Sequence, residues 1–445
     1  MACTHIMQRI ATVCVGIWLL AASHGAVAQQ TSTVNRASTQ VKLKCRHPAD
    51  PHRRQYNCDS EDFDWDETLA GGWNDIRRVA KRIGITPTAS YVGVLQTNVT
   101  GGKDQVWAYA GQFSFAASAD LRELLKIPGM SAYVGASWGT GSYLAGSLGS
   151  VIPTSGLYAP TFYLGEMYLQ QKLLQQKLTM LAGRLSAANT FAALPVFANY
   201  VNYGINPNPF SLGANDVTFF SPPTGTEWGA QASYAVTHSI QIMGGVFNTN
   251  VNSANGENHG ADFTLQEGNK GVLVAGEIDY LHNQRVNSAG KPGQITAGYL
   301  HSNNSFPYLN SPGHSNGYDG AYLMGQQMVF RPDGPGTTRG ATVWGTWSRN
   351  TKDLISPMPL FWGGGMSYEG LIPGRKNDLV SAGLVRAEAS KYAVTVGSEE
   401  LLELNYQWTH SRYLTITPHA QYLWKGESHE SRNATVLGIQ LSITL

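Results

Sequence analysis

Across residues 399–445 the chain alternates apolar and polar positions through three successive stretches. Leu402, Leu404, Tyr406 and Trp408 interleave with Glu403, Asn405 and Gln407; Leu414, Ile416, Ala420, Tyr422 and Trp424 with Thr415, Thr417, His419 and Gln421; Leu437, Ile439, Leu441 and Ile443 with Gly438, Gln440, Ser442 and Thr444. A period of two belongs to strands. A soluble β-sandwich shows the same alternation. Here, however, the wet face holds Glu, Asn and Gln, while the apolar face ends in Trp and Tyr. That is the wall of a membrane β-barrel, polar toward the lumen and girdled by aromatics toward lipid.

The bulk composition agrees. Only 14% of residues are charged, beside 49 Gly, 21 Tyr and 11 Trp, as in a large strand-rich protein. No run of about 18 apolar residues follows the first thirty, which excludes membrane-spanning helices. Residues 1–28 read as a secretory signal, with Arg9, an apolar stretch at 10–22 and the small-residue site Ala26-Val27-Ala28. Loss of Arg9 brings the 31 Lys and Arg level with the 30 Asp and Glu. A neutral chain has no basic surplus for nucleic acid. Cys45 and Cys58 remain after cleavage and are expected to pair in an exported protein; no metal set and no cofactor are expected.

An N-terminal periplasmic segment is expected at 29–87 and a transmembrane barrel domain at 88–445. Within the segment, residues 74–84 read as a short helix capped by Asn74 and stopped by Gly84. Ile76, Val79, Ala80 and Ile83 form its apolar side, and Arg77, Arg78, Lys81 and Arg82 its basic side. It is either a surface helix or a cover at the periplasmic mouth. Sixteen strands are expected at 88–97, 105–117, 129–138, 161–171, 175–185, 227–236, 238–247, 271–281, 291–301, 318–330, 339–350, 359–368, 378–388, 399–408, 412–424 and 433–445. With both termini periplasmic, the long connections at 139–160, 186–226, 248–270 and 302–317 fall outside, and the short ones at 172–174, 237 and 409–411 inside.

Leu169, Leu173, Leu174, Leu178, Leu181 and Leu185 recur at helical spacing. A helix there would leave the sheet with open edges, which hydrocarbon does not tolerate, so a hairpin is expected. The Asn-, Pro- and Phe-rich connection at 186–226 is either an outer cover or a segment folded into the lumen. Signatures of soluble enzymes (HExxH, the phosphate-binding loop, GxSxG) are absent, and no enzymatic activity is expected. His259, His282, His314 and His429 read as wet surface residues.

Ordered short motifs run along the chain. They begin with Gly72-Trp73-Asn74-Asp75-Ile76-Arg77, Arg82-Ile83-Gly84-Ile85, Tyr91-Val92-Gly93 and Asn98-Val99-Thr100-Gly101-Gly102. Tyr109-Ala110-Gly111-Gln112, Glu166-Met167-Tyr168-Leu169, Gly183-Arg184-Leu185 and Trp228-Gly229-Ala230 follow. Then come Gly271-Val272-Leu273 with Glu277, Arg339-Gly340, and Gly370-Leu371-Ile372-Pro373-Gly374-Arg375 with Asn377-Asp378. Residues 400–406, Pro418 with Gln421-Tyr422, and Leu437-Gly438 complete the series. In this order they resemble the carbohydrate-selective outer-membrane porin family typified by the bacterial glucose porin. The resemblance implies a sixteen-stranded barrel in the outer membrane of a Gram-negative bacterium that passes glucose and simple sugars by facilitated diffusion. It also implies a periplasmic N-terminal segment and a monomer. Two departures stand out: the start Gly71-Gly72-Trp73-Asn74-Asp75, and Leu445 where such chains commonly finish in Phe.

A sugar channel needs donors, acceptors and flat apolar faces along a narrowed wet path, with binding weak enough to allow exit. By alternation, Glu166, Tyr168, Gln170, Glu277, Asp279, Glu403, Asn405, Gln407, His419 and Gln421 face the lumen. Arg184, Arg339, Trp344, Arg375 and Arg386 join them as candidates. Each could equally serve a structural hydrogen bond or ion pair. The expected partners are outer-membrane lipid, the outer-membrane assembly machinery, monosaccharides and small oligosaccharides. Alternatives are a diffusion porin that is general or selects another small polar solute, and a secreted β-rich carbohydrate-binding or hydrolytic protein.

Overall fold

A computed structural model describes residues 74–157, 161–215, 226–249, 259–261, 263, 271–285, 287–393, 397–425 and 432–445. The signal segment and the Cys45–Cys58 pair lie outside these residues. Sixteen strands occur: β1 Ile85–Gly102, β2 Trp107–Asp120, β3 Met130–Gly141, β4 Phe162–Leu173, β5 Leu178–Leu185, β6 Glu227–Ala235, β7 Ile240–Asn248, β8 Val272–His282, β9 Gly293–Pro307, β10 His314–Phe330, β11 Gly340–Asn350, β12 Leu360–Glu369, β13 Leu379–Glu388, β14 Glu399–Thr409, β15 Leu414–Lys425 and β16 Arg432–Thr444. Each pairs antiparallel with its sequence neighbours, and β1 pairs with β16 (Tyr91 opposite Ile443) to close the barrel. Closure satisfies the edge hydrogen bonds that lipid could not.

The leucine-rich stretch forms the β4–β5 hairpin, with Gln170 opposite Leu181 and Leu173 opposite Leu178. Its helix-like spacing arises because both faces are apolar there. Leu169 and Met180 are exposed on the outer wall, while Leu181 packs against the buried cluster inside.

Alternation places aromatics outward in two belts. Trp107, Trp138, Phe162, Trp347 and Trp362 sit toward one end, and Tyr280, Phe330 and Trp408 toward the end that carries Ile85 and Leu445. The second end is the periplasmic one, because the longest connections leave from the other. A helix, α1 Asn74–Arg82, packs against β1 at the periplasmic rim. Arg77, and not Val79 or Ile83 of its expected apolar side, is buried there. It donates to the Leu445 carbonyl, whereas Val79 and Ile83 are exposed.

The main apolar core lies inside the barrel. Leu148, Ile152, Phe191, Phe197 and Leu212 come from 142–157 and 186–215, which fold inward. They pack on Leu273, Leu300, Phe361, Val385, Leu401 and Leu423, which point inward from the wall.

Candidate functional site

The inward course of 186–215 is fixed by wall side chains that accept its backbone N–H groups. Glu166 Oε1 accepts from Ser186 N at 3.0 Å, and Glu277 Oε2 from Ala192 N at 2.6 Å and from the Tyr322 hydroxyl at 2.8 Å. Gln326 takes Val196 N at 2.9 Å. Glu403 takes Val201 N at 2.8 Å, Asn202 N at 2.9 Å and Asn202 Nδ2 at 2.8 Å, with Asn405 and Gln421 donating to it as well. Asn405 and Gln407 also hold the Asn199 carbonyl, at 2.9 and 3.0 Å. A carboxylate can accept several such bonds, and charge-assisted bonds are the strong ones.

The segment 142–157 is seated the same way. Glu399 accepts from the Ser150 hydroxyl, Val151 N and Ile152 N. The Thr154 carbonyl is held by Gln96 at 3.0 Å and Gln421 at 2.9 Å, and His419 Nε2 lies 3.0 Å from Gln96 Nε2. The two loops then join through Gly156 N to Val201 O and Tyr203 N to Pro153 O.

Alternation therefore placed Glu277, Glu403, Asn405, Gln407, His419 and Gln421 on the lumen side, and Asp279 with them. Their polar atoms, however, meet loops or wall neighbours. Asp279 accepts from Thr296 at 2.6 Å. Trp344 is buried under the loop, donating to the Tyr200 hydroxyl at 2.8 Å and meeting Phe197 and Tyr200 edge-on.

Four arginines depart from the sequence reading. Arg184 is fully buried, caged by Thr226 Oγ1 (3.0 Å), the Tyr163 hydroxyl (3.3 Å) and the Gly260 carbonyl. Arg386 points to the outer wall, beside Trp362, and pairs with Glu400 at 2.5 Å and Glu388 at 3.2 Å. It lies level with the aromatic belt at the outer rim, where Trp362 Nε1 also donates to Glu388 at 3.4 Å. Arg339 and Arg375 lie in periplasmic turns and not on the wall: Arg339 holds Asp333 and the Gly370 carbonyl, and Arg375 grips Asp378 with two bonds of 2.7 and 2.9 Å.

Burial opposes charge on Asp378, but bonds from Arg375, Tyr406 and Thr409 N outweigh it and lower its pKa. A carboxyl with a lowered folded-state pKa adds stability above its unfolded value, about 3.9, and loses that contribution as pH falls through the folded one. Asp378→Asn is expected to lower the melting temperature at pH 7 and to flatten its fall between pH 5 and pH 3. Equal acid sensitivity of both proteins in circular-dichroism melts would refute this.

A further group of lumen-facing candidates lies low on β2–β5, where Tyr168 and Leu181 border the buried cluster. Tyr133 and Tyr168 are register partners, stacked with ring centroids 4.9 Å apart and planes at 19°. Ser118 pairs with Tyr133, and Ser131 with Gln170, whose Nε2 lies 3.4 Å from Ser131 Oγ. Paired positions share a face. Gln170 leads through Leu181 to Gln231, which donates to Thr190 of the inward loop, so this face is the lumen's. Tyr133 and the 142–157 loop escaped the sequence reading. The signal was Leu144, Leu148 and Ile152 at a spacing of four within a connection expected to fall outside the membrane.

A closed sixteen-stranded antiparallel barrel, aromatic-belted outside and narrowed by inward loops, defines a porin-type channel. The family model for carbohydrate-selective porins, the OprB family, matches residues 104–445. The chain belongs to that family, and it is an outer-membrane protein of the Gram-negative cell envelope. Among solved structures, the high-pH structure of Pseudomonas putida OprB has a TM-score of 0.77 at 20% identity, over 85% of this chain and 98% of that one. The low-pH structure gives 0.58 at 19% over the same shares. The Acinetobacter baumannii channel DcaP gives 0.50 at 8% identity, over 81% of this chain and 97% of its own. No curated protein sequence matches the chain.

Proposed function

We propose that the chain passes glucose and other small neutral sugars by facilitated diffusion, without covalent chemistry. One observation carries this reading: the carboxylates that could have formed a charged ring, Glu277, Glu399 and Glu403, are occupied by loop N–H groups. The lumen-facing residues low on β2–β4 carry hydroxyl, amide and phenol groups. Tyr133 and Tyr168 offer flat faces to the C–H side of a pyranose, and Ser118, Ser131 and Gln170 offer hydroxyl and amide partners. Such contacts are individually weak, as exit requires. We further infer an export signal at 1–28, a disulfide between Cys45 and Cys58, insertion by the outer-membrane assembly machinery and a monomeric channel.

Liposome swelling with glucose, a disaccharide, an amino acid and a size-matched salt tests the reading. Glucose is expected to enter faster than size-matched non-sugars. Tyr168→Ala is expected to reduce that preference roughly threefold to tenfold, about 0.7–1.4 kcal/mol of lost stacking, with salt entry little changed. Entry ranked by size alone would make the channel a general diffusion porin.

A further inference from the structure

The periplasmic rim from α1 to the β4–β5 turn carries apolar side chains that nothing inside the barrel uses. Val79 is 60% exposed, Ile83 52% and Leu174 62%, and Ile127 and Leu173 are also exposed. Leu174 has φ of 51°, a conformation that Gly or Asn adopts readily and Leu rarely, so turn geometry does not account for it. The rim is continuous. Asp120 N bonds Gly84 O at 2.7 Å, which ties α1 to the helix α2 Leu121–Leu125. Lys172 N bonds Gly129 O at 2.8 Å, which ties that connection to the hairpin.

Cations flank the apolar residues: Lys81 and Arg82 on α1, Arg122 and Lys126 around α2, and Lys177 at the hairpin, all exposed. Two acids, Asp120 at the end of β2 and Glu123 in the β2–β3 connection, lie on this rim. Asp120 is engaged as the α2 cap, accepting from Arg122 N at 2.9 Å. Above the rim, Leu169 and Met180 continue the same apolar surface up the lipid-facing wall. Apolar side chains bordered by Lys and Arg, lying where a lipid-facing wall ends, match the interface of an anionic leaflet.

We propose that this sector of the rim docks anionic phospholipid headgroups of the periplasmic leaflet. Leu173, Leu174, Ile127, Val79 and Ile83 enter the acyl boundary, while Lys81, Arg82, Lys126 and Lys177 meet the phosphates. The apolar tips favour lipid over an anionic cell-wall polymer, which would use the cations and leave the leucines in water. The site is independent of what the channel conducts.

Native mass spectrometry of the detergent-purified full chain, offered equal phosphatidylglycerol and phosphatidylcholine, tests it. The wild type is expected to retain phosphatidylglycerol preferentially. Lys81→Gln with Arg82→Gln and Lys126→Gln is expected to reduce that retention by about fivefold per cation in contact. Leu174→Asn suits the left-handed turn, so it is expected to keep the heat-modifiable mobility of a folded barrel while lowering retention of both lipids. It carries the test alone if the triple variant fails to fold. Equal retention of the two lipids, unchanged retention in these variants, or displacement of phosphatidylglycerol by soluble peptidoglycan fragments overturns the proposal. Glucose entry is expected to be unchanged throughout.

Discussion

Glu403→Ala is expected to release the inward loop and widen the channel. The carboxylate accepts from two backbone N–H groups and three side-chain amides, drawn from the 186–226 connection, β14 and β15. Alanine leaves Val201 N and Asn202 N buried with no acceptor, at about 1–3 kcal/mol each. The loop escapes that penalty by moving into water, a route the wall strands lack because their ladders are closed. Single-channel conductance is then expected to rise, roughly twofold if the segment leaves the lumen, and disaccharide entry to rise with it. Glu403→Gln keeps one acceptor oxygen and is expected to show a smaller change. The barrel should still melt cooperatively, since none of its inter-strand bonds is touched. Unchanged conductance in a folded Glu403→Ala protein would show that the loop is held without this carboxylate.

This expectation also shows what the sequence could and could not display. Strand periodicity depends on neighbours two positions apart, so β14 and β15 were legible residue by residue. Whether an inward side chain meets water or a loop depends on segments hundreds of positions away, and alternation carries no trace of it. Glu403 and Leu401 face inward together; one binds the loop backbone and the other packs on its apolar side. The doublets Leu401-Leu402 and Leu384-Val385, apolar on both faces, were the local trace of that packing. Arg386 misled for the opposite reason. A charged residue on a barrel strand suggested the lumen, yet near the outer rim the outward face is wet as well.

Gly383→Val is the complementary perturbation, acting on shape instead of charge. A Cβ at this wall position would lie 2.7 Å from Tyr200 Cε1, 3.0 Å from Ile205 Cδ1 and 3.0 Å from Trp344 Cζ2. The glycine is thus the seat into which the loop's Tyr200 fits, where its hydroxyl lies 2.9 Å from the Ala382 carbonyl and accepts from Trp344 Nε1. Valine cannot be accommodated by the wall, whose spacing is set by ladders to β12 and β14. The strain of about 1–3 kcal/mol therefore falls on the loop. Glu277 and Glu403 still anchor it on either side of the displaced tyrosine, so a partial opening is expected. Single-channel records should show larger current fluctuations about a mean lying between wild type and Glu403→Ala. In the double variant the effect of Gly383→Val should largely vanish, because a loop that has left the lumen no longer meets the added methyls. Full additivity in that pair would mean that the two residues act on different parts of the channel.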